Sequence, residues 1–136
     1  MDINNKQDSI QKPALFTPAS VLHFVVGIWF YSILKYYKYT IGQTYFFSII
    51  VHTLYELQDL TCNNKELCKY FFDISDIDSS YWKNNSIYNS IGDTLTFILG
   101  IIYGQLFFPK VTSEIIKNTT LLVILIFFTI QNFKLG

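Results

Sequence analysis

His52 and Glu56 stand four residues apart in the stretch Ser48-Ile-Ile-Val-His52-Thr-Leu-Tyr-Glu56-Leu-Gln-Asp59. Read as a helix, this stretch puts Ser48, His52, Glu56 and Asp59 on one stripe, because residues three or four apart share a face. An imidazole and a carboxylate at that spacing can ligate one divalent ion, and Asp93 and His23 from other segments would complete a His and carboxylate set of the kind that suits zinc. A bound metal would lower the pKa of its water and permit hydrolysis of a lipid head group. The competing reading is a hydrogen-bonded cluster in which Asn89 and His52 neutralise Glu56 and tie helices together. The residue types admit both, and whether the protein is an enzyme is left open.

The surroundings of this stripe are apolar. Half of the 136 residues are hydrophobic (51%), with 13 Phe and 10 Tyr, and only 15% are charged, against about 25% in soluble domains. The expectation is an integral, multi-pass membrane protein. An ionisable group at mid-bilayer costs about 2.5–3.5 kcal/mol on insertion scales, so such groups face partners inside a bundle. The formal net charge is zero, which argues against nucleic acid as a partner. Cys62 and Cys68 can form a small disulfide or remain two thiols. With no His between them they do not read as a zinc site. No Ser-His-Asp or Cys-His constellation and no phosphate-cradling glycine loop is present.

Four apolar segments follow a polar N-terminal tail, residues 1–18, whose first residues lack the order of a signal peptide. Residues 19–136 then read as a single transmembrane four-helix domain with a polar loop at 59–85. The first span, Ala19 to Tyr36, ends in a Lys and Tyr belt typical of a membrane interface. The second, Tyr39 to Gln58, starts almost at once, which predicts an antiparallel hairpin. In the third, Ser86 to Phe108, Gly92, Thr96, Gly100 and Gly104 form a small-residue stripe that lets another helix approach closely, and the Gly100/Gly104 face is a candidate surface for a homo-oligomer. The fourth, Thr119 to Phe133, has no ionisable residue and is expected at the rim of the bundle, facing lipid. The loop acids Asp73, Asp76 and Asp78 lack the glycine and bidentate Glu of a calcium loop.

Alternating spans bring the start of the first, the end of the second, the start of the third and the end of the fourth to one side. His23, Glu56, Asp59, Asn89 and Asp93 therefore converge in one leaflet, with Gln131 and Asn132. The opposite side carries Lys35, Lys38, Lys110, Lys117 and Glu114, ordinary interface charges. The lysine excess there places the polar cluster on the outer or luminal side by the positive-inside rule. Asn84-Asn-Ser86 and Asn118-Thr-Thr120 match the glycosylation pattern on opposite sides, and decide nothing.

Leu22-His23-Phe24 near the start of the first helix, Glu56 near the end of the second, and Asn89, Gly92 and Gly100 at the entry to the third resemble the VanZ-like family of small membrane proteins, and more distantly the YjdF-type proteins. The resemblance covers about residues 20–108 and implies a compact helical bundle, linked in places to glycopeptide-antibiotic resistance. It bears on the fold more than on any reaction. The family's Gln three after the Glu is here Asp59, its Asp four before the Asn is Asn85, and its loop Arg is missing, while His52 and Asp93 are additions.

The sequence thus predicts an all-α polytopic membrane bundle with a polar pocket in one leaflet, ringed by Tyr31, Tyr55 and Tyr88, for a lipid or polyprenyl head group. Glu56, His52 and Asp93 are the candidate catalytic residues, and His23, Asn89, Asp59 and Tyr55 the candidate ligand-binding ones. His52, Glu56, Asp93 and His23 form the candidate metal set. The alternative is a non-enzymatic membrane scaffold or envelope component. Proton-coupled transport ranks last, because the far half of the bundle has no ionisable relay.

Overall fold

Pro18 cannot donate a backbone hydrogen bond and presets φ, so it suits the first turn of a helix. In the computed structural model, which describes residues 15–61 and 87–133, α1 begins there and runs Pro18–Tyr36. The other helices among the described residues are α2 (Ile41–Thr61), α3 (Ile87–Phe107) and α4 (Ser113–Phe133). The described residues form an all-α bundle without strands. The calls on the tail before residue 15 and on the loop containing Cys62, Cys68, Asp73, Asp76 and Asp78 lie outside them, as does the first glycosylation pattern.

The turn between α1 and α2 is stitched by its own backbone. Lys38 adopts a left-handed φ of 67°, its N–H donates to Lys35 O at 3.0 Å, and the Tyr39 N–H donates to Leu34 O at 3.0 Å. These two bonds close the Schellman motif that ends a helix. Thr40 then starts α2 with a reciprocal capping box: the Gln43 N–H donates to Thr40 Oγ1 at 3.2 Å and the Thr40 N–H donates to Gln43 Oε1 at 3.0 Å. The expected hairpin is therefore present.

The boundaries differ from expectation at two helix ends. α4 starts six residues before Thr119, because Thr112 Oγ1 accepts from the Ile115 N–H at 3.4 Å and Glu114 in the first turn complements the helix dipole. It therefore carries Glu114 and Lys117, which pair at 3.8 Å on an exposed face. At the other boundary, α2 continues to Thr61, so Asp59 is a helical residue and no part of a loop.

α1 is the helix on which the others assemble. It packs most extensively on α3, then on α4, and less on α2, while the backbone of α4 approaches neither α2 nor α3. The α1–α3 contact is close because Gly27 and Gly100 face each other. A Cβ on Gly100 would fall 3.1 Å from the Gly27 Cα and run into the Phe24 carbonyl. One turn further, the Tyr31 ring covers Gly104, and the Tyr31 hydroxyl donates to Phe108 O at 3.0 Å. The small-residue stripe of α3 is thus filled by α1 within the chain. Helix α4 is held to α1 by Trp29 Nε1, which donates to Thr120 Oγ1 at 2.9 Å.

Three of the four helices, α1, α3 and α4, are long and apolar enough to cross a membrane. Helix α2 is as long but its polar stripe keeps it outside that group, so the four-span expectation holds by length for all four and by apolarity for three. Its buried side chains, Thr44, Ser48, His52, Glu56 and Asp59, are all polar, while Phe46, Phe47, Ile50, Val51, Leu54 and Leu57 point outward.

Gly100→Leu is expected to destabilise the protein by about 3 kcal/mol through overpacking against the Phe24 carbonyl, read as a lowered unfolding midpoint in detergent. Gly42→Ala, where no atom lies within 4 Å, should be neutral or stabilising in the same assay. Lys38→Gly should raise stability by about 0.5–1 kcal/mol, because glycine occupies the left-handed turn without a Cβ clash.

Candidate functional site

The buried stripe of α2 meets the first turns of α1 and α3. The parallel course of α1 and α3 brings His23, one turn before Gly27, to Asp93, two turns before Gly100. His23 Nε2 stands 3.3 Å from Asp93 Oδ2 and 3.8 Å from Glu56 Oε1. On its other edge, His23 Nδ1 shares a hydrogen bond of 3.0 Å with His52 Nε2. His52 Nε2 also lies 3.5 Å from Glu56 Oε1. The four residues chosen from the sequence as a candidate metal set are therefore assembled from three helices.

Serines fix the outer oxygens of both carboxylates. Ser90 Oγ donates to Glu56 Oε2 at 2.7 Å, and Ser20 Oγ donates to Asp93 Oδ1 at 2.8 Å. Ser20 Oγ also accepts from the Thr17 N–H at 3.0 Å, coupling the start of α1 to the site. Ser90 therefore has the role towards Glu56 that the sequence reading assigned to Asn89. Asn89 itself is buried and lines the adjoining cavity. The His52 ring is held by stacking on Phe97, with centroids 4.4 Å apart and planes 22° from parallel. Several buried polar atoms on α2 have no hydrogen-bond partner: Ser48 Oγ, His52 Nδ1, Glu56 Oε1 and Asp59 Oδ1.

The cluster stands at one end of a cavity of about 440 Å³ between α2 and α4. This space exists because, among the described helices, the backbone of α4 approaches α1 alone. His23, Asp59, Asn89, Asp93 and Gln131 line its polar end, and the rest of the lining is mainly apolar, including Leu22, Val26, Phe30, Val51, Phe97 and Val123. From Ala19 to Phe30 the lining follows α1 for about 16 Å at 1.5 Å per residue, so the cavity is elongated.

Two of the expected placements change, those of Tyr31 and Tyr88. Asp59 is buried on the inward stripe because α2 extends past it. Tyr31 lies two turns from His23, about 12 Å along α1, and packs on Gly104 rather than ringing the pocket. Tyr88 points outward from the first turn of α3, half exposed and outside the cavity lining. Tyr55 does line the cavity, near the His23 ring. The residues that sequence reasoning missed are Ser20, Ser90, Gly27 and Phe97. Gly27, the only glycine of α1, carried a legible signal for close approach. The serines carried none, since any small polar residue is tolerated near a helix start.

The fold and the site define an α-helical bundle with an internal imidazole–carboxylate centre opening into an apolar cavity. No protein-family model, no curated protein and no solved structure matches the chain. The site therefore has to be interpreted from its own chemistry.

Ser90→Ala removes the donor that holds Glu56 Oε2 and is expected to cost about 1–2 kcal/mol of stability. Thr129→Ala, which removes only a bond to the carbonyl of its own helix at Leu125, should change the unfolding midpoint little.

Proposed function

We propose that this chain is a multi-pass membrane protein that binds, and acts upon, the polar head group of an amphiphile such as a lipid or a polyprenyl compound. The observation that carries the reading is the joining of a buried His23–His52–Glu56–Asp93 cluster to one end of an elongated apolar cavity. A polar head would meet the cluster while a hydrocarbon chain lies along Val26, Phe30 and Val123, so each part of the ligand meets matching surface. The binding of apolar ligands in concave sites with a few convergent polar groups is the general pattern. The outward apolar residues of α2 and α4 support a bilayer as the surrounding medium, from which a ligand reaches the gap between these helices sideways. Resemblance to the VanZ-like family belongs to this reading, since three of the residues that carry it, His23, Glu56 and Asn89, belong to or adjoin the polar cluster.

Within this reading, Glu56 is the base or ligand group, and His52, His23 and Asp93 assist it by exchanging or holding protons across contacts of 3.0–3.8 Å. A non-enzymatic membrane scaffold is the second reading. It is favoured by α4, which packs on α1 alone and leaves Leu121, Leu125 and Phe128 exposed for another protein to cover.

Native mass spectrometry of the protein in mild detergent should reveal one bound amphiphile per chain. Val123→Trp, which fills the apolar end, should reduce that occupancy severalfold, and Glu56→Gln should weaken it with near-normal folded yield. Absence of any bound amphiphile from wild type, with Val123→Trp unchanged, would reject the reading in favour of a scaffold.

A further inference from the structure

The hydrogen bonds around the cluster sort its polar atoms into two groups. Glu56 Oε2 is taken by Ser90, Asp93 Oδ1 by Ser20, and Asp93 Oδ2 faces His23 Nε2 at 3.3 Å. Each of these atoms looks away from the centre or is already engaged. What is left is Glu56 Oε1, buried without a hydrogen-bond partner, together with His52 Nε2 and His23 Nδ1, which are engaged only with each other, at 3.0 Å. One ligand atom from each of His23, His52 and Glu56 can be chosen so that all lie within 4.8 Å of one another.

From this arrangement we infer a divalent metal site of the zinc type, with His23 Nδ1, His52 Nε2 and Glu56 Oε1 as ligands and the fourth position open to the cavity. In a tetrahedral site with bonds of about 2.0–2.1 Å, neighbouring ligand atoms stand about 3.3–3.4 Å apart. The separations of His52 Nε2 from His23 Nδ1 and from Glu56 Oε1, 3.0 and 3.5 Å, bracket that value. Three protein ligands with one open position is the pattern of a catalytic rather than a structural zinc.

The division changes the role of Asp93. Rather than ligating, it accepts from the His23 Nε2–H, which fixes the tautomer that presents Nδ1 to the metal, in the manner of a carboxylate–histidine–metal relay. Ser20 and Ser90 in turn hold Asp93 and Glu56. Ser48 Oγ, one turn before His52, and His52 Nδ1 are both buried without a hydrogen-bond partner. The charges agree as well: a site built from carboxylates and imidazoles, with no lysine in the lining of the adjoining cavity, suits a cation. Unlike the proposed function, this inference requires no amphiphile, because the three ligands are all supplied by the chain.

The test uses the full chain in detergent, stripped with a chelator and then given zinc or cobalt(II). Elemental mass spectrometry after desalting should find about one metal per wild-type chain, and cobalt should give the intense visible bands of a four-coordinate site. His52→Ala and Glu56→Gln should lose both signals, and Thr129→Ala, outside the cavity lining, should keep them. Asp93→Asn should retain the stoichiometry with affinity lowered about 10–100-fold, the usual effect of losing an outer partner. Wild-type protein that binds no zinc at micromolar concentration would overturn the site without reference to any variant. Retention of metal by both His52→Ala and Glu56→Gln would also overturn it, and complete loss in Asp93→Asn would overturn the division of roles. Amphiphile measured on the same samples separates the two readings: metal without amphiphile supports this site and counts against the proposed function, and amphiphile without metal does the reverse.

Discussion

The close approach of α1 and α3 at Gly27 and Gly100 is the contact on which the remaining arrangement depends. With no side chain on either residue, the two backbones meet directly, and dispersion and polar contacts at such crossings can hold helices together without any hydrophobic driving force between them. The consequence is positional. Because the two helices run in the same direction, His23, one turn before the crossing on α1, is delivered to Asp93, two turns before it on α3, and Phe97 to the His52 ring. A bulkier pair at the crossing would separate the helices by the width of a side chain and dissolve the cluster.

Helix α2 inverts the usual arrangement of a globular core. Its interior face is polar from Thr44 to Asp59, and its exterior is phenylalanine, isoleucine and leucine. In water this helix would turn the other way. In an apolar medium the same physics favours it, because each unpaired polar group left facing hydrocarbon costs several kcal/mol. The polar stripe thus acts as the adhesive that brings α2 to α1 and α3, while the apolar face meets the surroundings. Helix α4 has no such stripe, and it stands apart from α2 and α3. That separation is what leaves room for the cavity.

Structural and chemical roles are not alternatives at this site. Ser20 and Ser90 tie helices together through Asp93 and Glu56, and in doing so they occupy the outer carboxylate oxygens and orient the inner ones. A bundle held only by apolar contacts would leave the rotation of α2 weakly defined. Hydrogen bonds of 2.7 and 2.8 Å define it, and the preorganisation that results is what a binding or catalytic centre needs.

Read alone, the sequence determined which segments are helical, their order, and the stripe of α2 that carries Ser48, His52, Glu56 and Asp59, because these depend on apolar runs and on the local 3.6-residue period. It also placed His23, Glu56 and Asp93 at a common end, since alternating direction follows from four long helices and short or single connections. Tertiary structure alone decided the rest. Which serine reaches Glu56, whether Tyr31 and Tyr88 face the pocket, and whether α1 fills the glycine stripe of α3 depend on the rotation of each helix about its axis. That rotation is set by the fit of distant residues, Gly27 on Gly100 and Tyr31 on Gly104, and no local pattern records it. The gap between α2 and α4 has the same origin: it comes from a contact that α4 does not make.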